Sequence, residues 1–347
     1  MMVSAREIVD NWKIMEKNRL NKFVSVDKDA AQRYAHELKA RGKKIEHWHF
    51  PQVHPEDDFA FASVELVNSA LNFCYPIFEN PNDKFSVENP KDQQKPFRGA
   101  IGMQHCFYRA FGENRVTAEL LKPRFAALSK TAEFFKGTNQ IPLLEHRHWI
   151  MQEVISVLKE KFGGDPLHIY EEADWDAVLL VDILTAEFPQ AFGDDISRLP
   201  APAQGPDLGF TELEFRFFKK AKLAALLYQG RALEKGSNLK PLRSMSQIIA
   251  VEDYQVPKWL QWKKVLIYSD VLREHIRQQK IIHRHSQMEI EIRAPQPVAN
   301  SIMLEELNRG IEPDHPDYWD ILPLDAAEWF DGRKIEFPHH LTPTTAY

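Results

Sequence analysis

The sequence predicts a mostly helical protein with few short strands, and three observations carry that prediction. Apolar residues recur at helical spacing through most of the 347 residues, helix-punctuating residues bracket those stretches, and strict apolar-polar alternation is nearly absent. Asp27 is placed to cap KDAAQRYAHELKARG, which Gly42 stops. A second stripe, through Val64, Leu66, Val67, Ala70 and Leu71, runs on to Pro76. Pro142 stands in the first turn of PLLEHRHWIMQEVISVLKEKFGG, a long helix closed by Gly163 and Gly164. Helical spacing also covers 174–187, 211–233, 257–279 and the segment VANSIMLEELNRG. The best strand signal is MEIEIRA (288–294), whose alternation suits a short strand; a loop feeding the next helix is the competing reading.

Proline, asparagine and glycine concentrate in 78–97 and 198–210, which read as long surface loops. The tail after Ile292 carries repeated prolines and several aromatics and is expected to wrap the body without forming a domain. No internal repeat is visible. The expectation is a single helical domain with two lobes, about 1–200 and 201–347, around a central cleft where a ligand would bind.

A net charge of −6 argues against a nucleic-acid partner, which would need a clustered basic surface. The basic clusters, Lys219-Lys220-Ala221-Lys222 and Lys263-Lys264, are short and isolated. Cys74 and Cys106 lie in apolar surroundings, which fits reduced thiols in a cytoplasmic compartment. The start, MMVSAREIVDNWK, is amphipathic without an apolar signal core, and no apolar stretch is long enough to span a bilayer.

Histidines pair at 47 and 49, 146 and 148, 283 and 285, and 339 and 340, yet no cysteine or carboxylate accompanies them at metal-ligand spacing. Phosphate-binding glycine loops, a nucleophile elbow and Cys-x-x-Cys are all absent, so neither metal nor cofactor is expected. What remains are carboxylates in apolar company. Asp253 stands in VEDYQVPKWLQW, and Asp325 in DILPLDAAEWF, four residues before Trp329 and on the same helical face. Each also stands where a helix N-cap would stand, which is the simpler reading. In SALNFCYP, Asn72 puts an amide between Leu71 and Phe73; burying it unpartnered costs roughly 1–3 kcal/mol. It is therefore either a bonded structural residue or part of a binding surface.

The ordered segments ALNFCY (70–75), IPLLEHRHWIMQEVISVLKEKFGG (141–164), FRFFKKAKLA (215–224), VEDYQVPKWL (251–260), IYSDVL (267–272) and EIEIRAP (289–295) resemble the queuosine salvage protein family, from about residue 45 onward. The resemblance implies a helical, DNA-glycosylase-like architecture. It also implies an enzyme that hydrolyses the N-glycosidic bond of queuosine 5′-monophosphate, a small-molecule nucleotide, and releases the 7-deazaguanine base queuine. Carried over by position, the base-recognising aspartate falls on Asp253, between Val251 and Tyr254, and the catalytic carboxylate on Asp325, followed by Trp329. The family's lysine falls on Lys219, and its early pocket histidine on His49, with His54 as the competing alignment. Asn72 and Phe73 would line the pocket floor. Val251 and Pro76 depart from the aromatic residues usual at their positions, and GAIGMQ replaces an aromatic turn near Gly99. Two alternatives stand beside this reading: action on another modified nucleotide or nucleoside, and a deazapurine-binding protein without catalysis.

Overall fold

The computed structural model describes residues 5–92, 94–203, 208–313 and 315–347. The first four residues of the amphipathic start and parts of both expected surface loops, at 93 and 204–207, lie outside the described residues. The chain forms two compact units interleaved in sequence. Unit 1 takes Met1–Glu46, Asp195–Lys219 and Ser244–Pro343; unit 2 takes His47–Asp194, Lys220–Arg243 and Thr344–Tyr347.

With elements numbered along the chain, unit 1 opens with α1 (Ala5–Lys17), β1 (Val24–Val26) and α2 (Lys28–Arg41). It continues with β6 (Ile196–Pro200) and β7 (Glu212–Arg216), and then with α11 (Gln255–Trp262), β8 (Leu266–Tyr268), α12 (Asp270–Arg277), α13 (Gln287–Arg293), α14 (Pro295–Leu307) and α15 (Ile321–Lys334). Asp27 caps α2 as expected, its Oδ1 accepting from the Ala30 N–H at 2.8 Å, and Gly42 ends the helix at φ +84°. Helix α2 sets Ala31, Ala35 and Leu38 on one face, and α14 packs against it with Ala299, Met303 and Leu307. Strands β1 and β8 pair antiparallel, as do β6 and β7.

Unit 2 holds α3 (Asp58–Ala70), β2 (Pro76–Ile77), β3 (Asn80–Lys84), β4 (Ser86–Val87), β5 (Phe97–Arg98), α4 (Ala100–Phe111), α5 (Ala118–Leu121), α6 (Leu128–Phe134), α7 (Leu144–Lys161), α8 (Leu167–Glu172) and α9 (Ala177–Glu187). Helix α10 (Lys219–Ala232) follows, its first residue belonging to unit 1. The protein is thus mostly helical, with strands confined to two-stranded pairs. Cys74 and Cys106 are free and buried. Among the described residues no helix is long and apolar enough to cross a membrane.

Several expected elements differ. Helix α3 stops at Ala70 rather than running on to Pro76. Helix α7 begins at Leu144, after Leu143 in the left-handed region, so Pro142 precedes the helix. The segment 78–97 contains β3 and β4, and 198–210 contributes the end of β6. The expected helix over 211–233 divides into β7 and α10, because ELEFR buries Leu213 and Phe215 in alternation before Phe218 turns the chain at φ +48°. The expected helix over 257–279 breaks at Lys264, φ +60°, and yields α11, β8 and α12. MEIEIRA is helix α13, not a strand or loop: Ser286 caps it, and both of its glutamates are buried. The tail after Ile292 does not merely wrap the body, since α14 and α15 supply core residues Met303, Leu307 and Leu324.

Candidate active site

Asp253 lies just ahead of α11, in a stretch held by backbone contacts. Its N–H donates to the Val251 carbonyl at 2.8 Å, and the Gln296 amide donates to the same carbonyl at 3.2 Å. Val251 is therefore buried as a backbone anchor. Asp253 Oδ1 accepts from the N–H groups of Gln255 and Val256 at 2.8 and 2.9 Å, so the residue caps the first turn of α11. Among the described residues Oδ2 receives no hydrogen bond. Burial raises the pKa of Asp253, against the opposing pull of the Lys219 charge.

Asp325 does not cap its helix. Asp320 does, accepting from the Leu322 N–H at 2.9 Å, and this places Asp325 in the body of α15. There it is 4% exposed, and its Oδ1 has no hydrogen-bond partner among the described residues. Burial lifts its pKa well above the carboxylate range; the charge of Asp253 adds to this and Lys219 opposes it. The face of α15 that bears Asp325 also bears Glu328 and Gly332, at i, i+3 and i+7. A side-chain carbon at Gly332 would stand 3.0 Å from the Gln255 carbonyl oxygen and 3.3 Å from Trp259 Cβ. The missing side chain lets this face close on the start of α11, which Asp253 caps.

Lys219 starts α10, and its backbone N–H donates to Asp195 Oδ2 at 3.0 Å. Burial lowers its pKa to about 8, opposed by the charges of Asp253, Asp325 and Asp195. Arg293 ties this segment to the one carrying Asp253. Its guanidinium grips both Asp195 oxygens at 2.8 and 2.7 Å, meets Glu289 at 3.0 Å, and donates from Nε to the Glu252 carbonyl at 3.1 Å. It also lies 4.0 Å from the centre of the Phe217 ring. Burial alone would raise Asp195, but the charge of Arg293 holds it below its ordinary value. One buried guanidinium thus fixes two separate segments of unit 1.

Tyr254 is half-buried with its ring 4.4 Å from that of His339, and Trp329 is half-buried beside Phe330 and under Arg333. Unit 1 therefore gathers Asp253, Asp325 and Lys219 into one electrostatically coupled group. His49, Asn72 and Phe73 belong to unit 2. His49 Nε2 bonds the Pro55 carbonyl at 3.1 Å, and burial lowers its pKa. The competing His54 is fully buried; Nδ1 accepts from the Phe50 N–H at 3.0 Å and Nε2 faces Glu65 at 3.3 Å. Asn72 is half-buried in the turn after α3, so the amide is not sunk in a helical core. Phe73 is buried under Arg147, whose guanidinium donates to the carbonyls of Leu71, Phe73 and Cys74.

Glu252, Glu328, Lys258, Asp195 and Arg293 were not singled out in the sequence. Glu328 had a signal: a second carboxylate three residues after Asp325 in the otherwise apolar run ILPLDAAEWF. Arg293 and Asp195 are 98 residues apart and had none. Among the described residues no group of three or more histidine, cysteine or acidic side chains is arranged to hold a metal. A cavity of about 140 Å³ in unit 2, lined by Phe59, Tyr170, Trp175 and Tyr228 among others, contains none of the candidate residues.

The family model of the queuosine salvage protein matches residues 53–344. The queuosine 5′-phosphate N-glycosylase/hydrolase of Sphaerobacter thermophilus is 27% identical over 327 residues, covering 93% of each chain. The enzyme of that name from Mus musculus is 24% identical over 84% of this chain and 79% of its own. Its counterpart in Dictyostelium discoideum is 28% identical over 81% and 77%. The family match runs through the Asp253 segment, α13 and α15 alike, and the chain belongs to the queuosine salvage protein family.

Proposed function

We infer that the protein hydrolyses the N-glycosidic bond of queuosine 5′-monophosphate and releases its 7-deazaguanine base, queuine. Family membership and the names of the relatives support the substrate. The observation that carries the chemistry is Asp325: a buried carboxyl in mid-helix, with an oxygen that has no hydrogen-bond partner among the described residues, coupled to Asp253 and Lys219. A 7-deazaguanine has carbon at position 7, so protonation there cannot help the base depart. Cleavage must lean on stabilising positive charge on the ribose, and a carboxylate beside C1′ does this while orienting the attacking water. Asp325 takes that role in its ionised form, which the neighbouring Lys219 charge favours against burial. Asp253, with Oδ1 committed to α11, offers Oδ2 to the N1–H and exocyclic amine edge of the base. Lys219 meets the 5′-phosphate as a point charge. The proposal is confined to these residues of unit 1, with Tyr254 and Trp329 as flanking aromatic walls.

The test is incubation of the purified protein with queuosine, its 5′-monophosphate and GMP, with released base read by mass spectrometry. Free queuine should appear from the 5′-monophosphate and not from GMP. Asp325→Asn should keep its melting temperature and substrate affinity while turnover falls about 10²–10³-fold, the usual loss for one electrostatic partner of a transition state. No base from any of the three substrates favours a binding protein, and turnover by the asparagine variant within a few-fold of the parent removes Asp325 from the chemistry.

A further inference from the structure

We propose that Arg293 is a positioning residue for this reaction: through Asp195 on one side and the Glu252 carbonyl on the other it sets the separation of Lys219 and Asp253, and thereby selects a substrate that carries a phosphate as well as the base. The inference rests on the reading that Asp253 takes the base edge of the nucleotide and Lys219 its 5′-phosphate. Each of these two residues is anchored locally. Asp253 is held by its own N–H on the Val251 carbonyl and by the cap it gives Gln255 and Val256 of α11, at 2.8 to 2.9 Å. Lys219 is held by Asp195, whose carbonyl accepts from the Phe217 N–H and whose Oδ2 accepts from the Lys219 N–H, both at 3.0 Å. That pair of bonds brackets Phe218, which turns the chain into α10 at φ +48°. Neither set of bonds fixes the distance from one residue to the other.

Arg293 supplies that link. It is 1% exposed, and its fork reaches both segments: Nη1 and Nη2 donate to Asp195 Oδ1 and Oδ2 at 2.8 and 2.7 Å, and Nε donates to the Glu252 carbonyl at 3.1 Å. Because a guanidinium is flat and rigid, the carboxylate that holds Lys219 and the peptide that precedes Asp253 are kept at one distance and one angle. The fork is itself held. Glu289 meets Nη1 at 3.0 Å and accepts with its other oxygen from the His285 N–H at 3.1 Å, while the guanidinium carbon lies 4.0 Å from the centre of the Phe217 ring. An arginine at the last residue of α13 has a simpler use, which is to face the negative helix end and pair with Glu289 four residues before it. That use leaves unexplained the bonds to residues 98 and 41 positions away.

The consequence for binding follows from the shape of the substrate. Base and 5′-phosphate stand at opposite ends of one ribose, so a nucleotide gains from both protein groups only where their spacing matches before it binds. Free queuine carries the base edge alone and draws only on the Asp253 end. Loosening the Arg293 link should therefore weaken the nucleotide and spare the base.

The experiment measures KM for queuosine 5′-monophosphate and the inhibition constant of free queuine in one assay, for the parent, Arg293→Lys, Asp195→Asn and Glu289→Gln. Neither constant depends on how much of a preparation is folded, so a variant that folds poorly still reports. Arg293→Lys keeps the positive charge, but an ammonium that meets Asp195 lacks the second arm for Glu252. Asp195→Asn sets an amide donor against the donors of Arg293 or Lys219. Both should raise KM about 10–100-fold and leave the queuine constant within about three-fold of the parent. Glu289→Gln, which touches Arg293 but holds neither Asp195 nor Glu252, should leave the ratio of the two constants unchanged. Equal shifts in both constants, loss of all turnover in both linking variants, or constants like the parent's would mean a merely structural role and overturn the proposal. A parent that releases base but is not inhibited by queuine would remove the separate base end, and the inference with it. Absence of base release by the parent itself would instead overturn the activity on which the inference stands.

Discussion

Burial takes the Lys219 ammonium out of water and lowers its pKa to about 8, while Asp253, Asp325 and Asp195 keep it from falling further. As pH rises through about 8 the free enzyme loses this charge, and with it the attraction for a 5′-phosphate. We expect kcat/KM for queuosine 5′-monophosphate to fall with rising pH through that point while the value for the nucleoside stays flat, because kcat/KM reports ionisations of the free enzyme. Lys258 also titrates at about 8, so Lys219→Met is the control: it should lower kcat/KM for the nucleotide and abolish the limb. A limb that persists in this variant assigns the ionisation elsewhere. Asp253 shows why a single role per residue is too simple. Capping α11 is its structural duty, and only Oδ2 is left to offer a ligand.

Helix α13 shows the same dual use of acids across a whole element. Its alternating glutamates look like one polar face of a strand, yet both are turned to internal use: Glu289 pairs with Arg293 one turn on, and Glu291 accepts from the N–H groups of Lys22, Phe23 and Val24 at 2.6 to 3.0 Å. Glu291 thereby secures the start of β1 from a position 267 to 269 residues away. Glu291→Gln replaces a two-oxygen acceptor with one oxygen and an amide that donates, leaving buried N–H groups unmatched. We expect it to lower stability by about 1–3 kcal/mol in urea titration with saturated turnover unchanged. A midpoint shift within error would show that water satisfies those groups equally well.

Across the whole molecule, buried acids with raised pKa couple stability to pH. Unfolded glutamate titrates near 4.3. Above that pH the unfolded chain has released the Glu328 proton while the folded protein keeps it, so stability falls as pH rises until the raised folded pKa is passed. One such proton contributes a slope of up to about 1.4 kcal/mol per pH unit. Lys219 and Lys258 act in the opposite sense at higher pH, since the folded state gives up their protons from about 8 and the unfolded state only near 10.4. Glu328→Gln should therefore become progressively more stable than the parent between pH 5 and 8. Parallel stability curves for the two proteins would show Glu328 ionising alike in both states and would count against its being neutral in the folded protein.

The sequence by itself determined the helical class, the caps and stops that obey local rules, such as Asp27 and Gly42 around α2, and the positions at which Asp253, Asp325 and Lys219 stand. Those follow from spacing and from residues within a turn or two of one another. What it could not determine is which acids are buried. Asp320 rather than Asp325 caps α15 because the chain enters the helix five residues earlier, and that entry is set where α15 packs on α11. Helix α13 replaces the expected strand because Ser286 starts a helix, Arg293 one turn on takes up Glu289, and remote N–H groups take up Glu291. Asp253 and Lys219 are tied to one another through Arg293, which reaches Asp195 across 98 residues and Glu252 across 41. Whether a carboxyl is a solvated surface group or a buried partner depends on which distant segment supplies its donors, and local periodicity carries no record of that; the tertiary structure alone decides it.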